Sequence, residues 1–150
     1  MQTCVIFDNM LQLPTSGNRR LYYLHLEPEN LIDLKIENEN WMCLIKCEKF
    51  SVKKHKVHIE KIIALKPLFI YCVASNHPDL EECVISELCN ANEGYHDDTE
   101  LPLTFGDNDL KGAIKFCLES AFHESKNIDE VVIIDLNDEG LSETEIRSFI

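Results

Sequence analysis

The sequence predicts an α/β fold in three layers: a mixed β-sheet flanked by helices, with the C-terminal half forming a parallel β-α-β-α unit. Three observations lead there. Residues 101–150 alternate cleanly, from an apolar strand (LPLTFG) through an amphipathic stretch and a second apolar strand (VVIIDL) to a short helical segment. A strand, a crossover helix and a second apolar strand form a parallel pair. Residues 68–74 (LFIYCVA) are apolar without interruption, as in a strand buried on both faces. Finally, Leu110, Ala113, Ile114, Cys117, Leu118, Ala121 and Phe122 keep helical spacing throughout. At 150 residues, the length is that of one domain, 1–150, large enough to bury a core without staples.

Taken in chain order, residues 3–8 (TCVIFD) read as a short strand. Residues 13–20 (LPTSGNRR) form a loop of turn-forming residues, and 20–26 (RLYYLHL) a second strand. Leu31, Leu34 and Ile36 mark an ambiguous segment. Residues 41–47 (WMCLIKC) read as a strand with Trp41, Cys43, Ile45 and Cys47 on one face. Residues 50–57 (FSVKKHKV) suggest a hairpin or an edge strand guarded by lysines. Residues 58–65 suit either a short helix or a continuing strand. Pro78 fits a first helical turn capped by Asn76 or His77, with Leu80, Cys83, Val84 and Leu88 forming the apolar stripe. The acidic loop 91–100 precedes the C-terminal unit. There, Asp107 to Asp109 suit a helix start, and Ser142 with Glu145 matches a capping box. The strand-rich first half is expected to supply antiparallel or edge strands, and the second half the parallel core. The sheet should have five or six strands with three or four helices.

Composition bounds function. The seven cysteines lie mostly inside apolar patterns, as reduced thiols do in a cytoplasmic or nuclear protein. No apolar run reaches membrane-spanning length. The net charge of −13 argues against broad nucleic-acid binding. Yet residues 46–66 hold seven lysines against two glutamates, a net of +5 that leaves −18 for the remainder. Trp41, Lys46, Lys49, Lys53, Lys54 and Lys56 are therefore the candidate partner-binding residues; a protein partner is expected, and the lysines could meet an acidic partner, RNA or an anionic surface. Self-association through an edge strand is a variant, and nucleic acid at the lysines a weaker reading.

Catalytic and cofactor motifs are missing: the chain carries no P-loop, G-x-G-x-x-G, G-x-S-x-G or H-E-x-x-H pattern. Cys43, Cys47, His55 and His58 could supply a tetrahedral zinc set. The strand pattern of the cysteines instead favours two buried thiols and two exposed histidines, so no metal or cofactor is expected. His96 with Asp97 and Asp98 reads as a solvated acidic loop. The turn Thr104-Phe105-Gly106-Asp107 lies between a strand and a helix start, a position that collects anions in α/β folds. From LPLTFG to the terminal helix, this order of elements resembles the end of a macrodomain. Those modules bind or hydrolyse ADP-ribose, and the resemblance implies a ligand near Thr104, Gly106 and Asp107, with Gly106 standing for the family's glycine-rich diphosphate loop. The leading expectation is a non-catalytic interaction module that uses the segment 41–58. ADP-ribose or nucleotide binding is the alternative.

Overall fold

The computed structural model describes residues 10–27, 39–91 and 101–150. Six strands and four helices follow in the order β1 (Leu11–Leu13), β2 (Arg20–His25), β3 (Trp41–Lys46), α1 (Val52–Ala64), β4 (Phe69–Val73), α2 (His77–Asn90), β5 (Leu103–Asp107), α3 (Leu110–Glu119), β6 (Glu130–Asp135) and α4 (Glu143–Arg147). The sheet order is β1-β2-β6-β3-β4-β5. Among the described residues, the β1–β2 pair is antiparallel and the other four pairs are parallel. The predicted mixed α/β sheet with flanking helices is thus the observed one. The expected strand at 3–8, the ambiguous segment around Leu34 and the His96 loop lie outside the described residues.

Alternation explains the layers. Odd and even positions of β2, β3, β4 and β6 face opposite sides, and both sides are covered. One face packs Tyr22, Leu24, Trp41, Cys43, Ile45, Ile70, Cys72, Val132 and Ile134 against Ile59, Ile62 and Ile63 of α1 and Leu80, Cys83, Val84 and Leu88 of α2. The other packs Leu21, Tyr23, Met42, Leu44, Phe69, Tyr71, Val131 and Ile133 against α3 and Ile146 of α4. Trp41 is fully buried in the first layer, and its indole N–H donates to the Leu65 carbonyl at 3.2 Å.

Five expectations need correction. The strands β5 and β6 do not form a parallel pair, because β3 and β4 lie between them and β5 is an outer strand. Residues 50–57 are not a hairpin or edge strand; from Val52 they are the first half of α1. The buried positions His55, His58, Ile59, Ile62 and Ile63 form one helical stripe, which is concealed when the two histidines are counted as polar. Those histidines are accordingly buried rather than exposed. The first half does not supply only edges, because β3 lies in the interior between β6 and β4, and β2 is parallel to β6. The helix expected to carry Phe122 ends at Glu119, leaving Phe122 exposed. Arg19 explains the stop: its guanidinium donates to the Cys117 and Ala121 carbonyls, each at 2.6 Å, and to the Ile128 carbonyl at 3.2 Å. A cation here satisfies orphan carbonyls and opposes the negative end of the helix dipole.

Candidate functional site

Two features stand out: a cleft at the carboxyl ends of the parallel strands, and the exposed face of α1. The first follows from topology. β3 and β6 are parallel neighbours with Lys46 opposite Asp135. β3 leads into α1 on one face, whereas β6 leads to α4 on the other. Diverging exits of adjacent strands open a crevice, the usual ligand position in open α/β sheets. Here it has a volume of about 1140 Å³ and is lined by the segments that follow β3, β4, β5 and β6.

At the β3–β6 junction, the Asp135 carboxylate is completely buried. It accepts from Tyr23 Oη at 2.5 Å and from the Asn137 backbone N–H at 3.0 Å. Tyr23 Oη in turn accepts from the Leu141 N–H at 2.7 Å. Burial, foremost, and the hydrogen bond to Asp135 push the Tyr23 hydroxyl well above its usual range. The Lys46 ammonium, its side chain 15% exposed, lies 3.6 Å from Asp135 Oδ2. That is within ion-pair range but longer than a hydrogen bond.

Side chains hold the surrounding loops. The Asn137 side-chain oxygen accepts from the Glu48 N–H, and His25 Nε2 donates to the Asn137 carbonyl at 2.7 Å. The Asn76 side chain exchanges two bonds with the backbone of Phe50, at 2.8 and 2.9 Å, tying the end of β4 to the start of α1. Lys54 Nζ meets Asp138 at 2.7 Å across the mouth of the cleft.

Cys47 and His55 also line the cleft, with Sγ 3.7 Å from Nε2. They do not form an activated nucleophile. His55 Nδ1 accepts from the Ser51 N–H at 3.0 Å, which places the ring proton on Nε2; the sulfur lies almost equally far from the two ring nitrogens, 3.8 Å from Nδ1. An imidazole in that tautomer cannot take the thiol proton. Burial pushes the Cys47 thiol up to about 11 and lowers His55, so both groups are held neutral. The ring also stacks on Phe50, with centroids 5.6 Å apart. Among the described residues, no group of three or more His, Cys, Asp or Glu side chains is placed to hold a metal ion.

The second feature is electrostatic. The first turn of α1 contains no acidic residue, and its N-cap, Ser51, makes no side-chain capping bond. Lys53 and Lys54 instead occupy a turn where the helix dipole favours negative charge. Val52, Lys53, Lys56 and Val57 are exposed and share one face by their one-, three- and four-residue spacing; Val52 is 54% and Val57 46% exposed.

The six proposed partner-binding residues therefore separate. Trp41 is in the core. Lys46, Lys49 and Lys54 line the cleft, whereas Lys53 and Lys56 lie on the outer face of α1. Thr104, Gly106 and Asp107 are not a turn but the end of β5, an outer strand whose Gly106 pairs with Cys72. The space above Gly106 is filled: a β-carbon there would collide with the Glu81 side chain, whose carboxylate is 2.7 Å from His77 Nδ1. Sequence reasoning missed Asp135 and Tyr23. An aspartate closing an otherwise apolar run at the carboxyl end of a strand was the available signal.

No helix among the described residues is long and apolar enough to cross a membrane. No protein-family model, curated protein or solved structure matches the chain.

Proposed function

We propose that this protein is a non-catalytic interaction module that docks an acidic protein partner on the outer face of α1. One observation carries the reading: Val52, Lys53, Lys56 and Val57 combine exposed apolar and cationic groups on one helical face of a chain whose net charge is −13. Lys53 also opposes the dipole of its own helix, a local disadvantage that partner recognition would explain. The neutral Cys47–His55 pair supports a non-catalytic role. An ADP-ribose or nucleotide reading finds less support, because the Glu81 carboxylate over Gly106 would repel a phosphate.

The test replaces Lys53 by Glu and Lys56 by Gln and compares affinity capture by the two proteins. Lys56 meets Glu87 only at 4.0 Å, a surface pair of small worth, and an acidic residue at position 53 suits the helix start. The double variant should fold at least as well as the parent while losing its acidic partners. Retention of every partner would remove α1 as the docking face.

A further inference from the structure

We infer that the cleft beside Lys46 and Asp135 is a second binding site, for a small zwitterion carrying a carboxylate and an ammonium group. This site is separate from the outer face of α1. Three observations select the ligand class.

The floor asks for an anion. Lys46 is largely enclosed, yet its closest carboxylate oxygen, at 3.6 Å, is too far to accept a hydrogen bond. Both oxygens of Asp135 are instead engaged by Tyr23 and by the Asn137 N–H. The ammonium thus retains donors for an incoming acceptor.

The loops select a carboxylate over a phosphate. A phosphate site in an α/β fold is built from free backbone N–H groups at the strand exits. Here the N–H groups immediately after the strands are already used, and the first turn of α3 is preceded by Asp107 and Asp109, whose charge opposes a phosphate. The Cys47 N–H donates to Val73, Ala74 to Asp107, Ser75 to Glu48 and Leu136 to Lys46, while the Glu48, Asn137 and Leu141 N–H groups bond side chains. A group needing only one or two donors from lysine fits; a diphosphate needing a cradle does not.

The segment after β6 asks for a cation. It places Asp138, Glu139 and Glu145 along the cleft. Asp138 meets Lys54, and Glu145 Oε1 accepts from the Ser142 N–H, but both remain anionic. A ligand with its carboxylate at Lys46 and its ammonium toward Glu139 and Glu145 satisfies both kinds of charge, as a free amino acid does.

Thermal-shift titration tests this, with each proteinogenic L-amino acid as probe at about 10 mM. For the best probe, the same skeleton lacking the amino or the carboxyl group serves as comparison, with inorganic phosphate alongside. At least one amino acid should raise the melting temperature by about 2 °C or more, and its truncated analogues by much less. Glu139→Gln with Glu145→Gln should remove most of the shift, the glutamine preserving the cap of α4; Lys46→Met should do so from the carboxylate side. Should Lys46→Met fail to fold, the glutamine variant still decides. No shift from any amino acid, or an equal shift from phosphate or from the bare amine, overturns the assignment.

Discussion

Replacing Tyr23 by Phe removes a single oxygen that joins three segments of the chain. Its hydroxyl donates to the buried Asp135 carboxylate at 2.5 Å and accepts from the Leu141 N–H at 2.7 Å. Loss of a hydrogen bond to a charged group removes about 1.5–3 kcal/mol, and an unpaired amide adds about 1 kcal/mol. Leu141 borders the cleft, so water can replace part of what its N–H loses. The expected net loss is therefore about 2 kcal/mol, or about 4–8 °C in melting temperature for a domain of this size. Urea unfolding should show a lower midpoint at unchanged slope. A double-mutant cycle with Asp135→Asn should return a coupling of about 1 kcal/mol or more, because the two side chains touch. A pH series adds an independent reading. The Tyr23 hydroxyl is held above its usual range, so the unfolded chain ionises first, and stability falls as pH rises above about 10. The Phe variant should lose stability less steeply there. A change below about 0.5 kcal/mol, or additive single and double variants, would refute the linkage of Tyr23 to Asp135.

Two other sites give direct tests. Arg19→Ala should destabilise the fold by about 2–3 kcal/mol, because three carbonyls lose a charged donor; Arg19→Lys should recover part of it. Accelerated hydrogen exchange at the end of α3 would localise the effect, and a loss below about 1 kcal/mol would show the bonds to be dispensable. Burial, then the nearby Lys54 and His58, lowers the His55 imidazole, so the unfolded chain takes up that proton first. Stability should decline as pH falls through about 6.5 and stop declining on this account once the folded imidazole itself protonates. Unfolding midpoints across that range should vary less in His55→Asn, whose side-chain oxygen can still accept from Ser51; an unaltered pH slope would exclude His55.

The sheet was legible because its strands are pure statements of burial. Residues 68–74 and 131–136 can only be two-sided strands, and β4 and β6 formed there. The C-terminal cap was legible because Ser142 and Glu145 are neighbours in sequence, and both bonds of the capping box are present. Helix α1 was hidden because its apolar stripe begins with two histidines, which count as polar until burial makes them part of the core. The end of α3 was hidden because its determinant, Arg19, lies about a hundred residues away in the chain. Gly106 suggested a turn, but it is the edge-strand position over which Glu81 folds. The cleft belongs to no local motif. It exists because β6 enters the sheet between β2 and β3, which brings Tyr23, Lys46 and Asp135 together from three strands.

The role of the lysines was read from charge segregation, and the helix divides them into an outward pair and a set that faces the cleft. Docking at the outward pair is tested most directly by photocrosslinking from position 57, which adjoins Lys53 and Lys56 on the exposed face, with position 85 as the reference. Ile85 is 50% exposed on α2, which is close to the exposure at Val57. The account predicts a crosslink to an acidic protein segment from position 57 that fades with salt and disappears in the Lys53→Glu, Lys56→Gln protein. Equal crosslinking from both positions, or a crosslink from position 57 that survives the charge change, would contradict it.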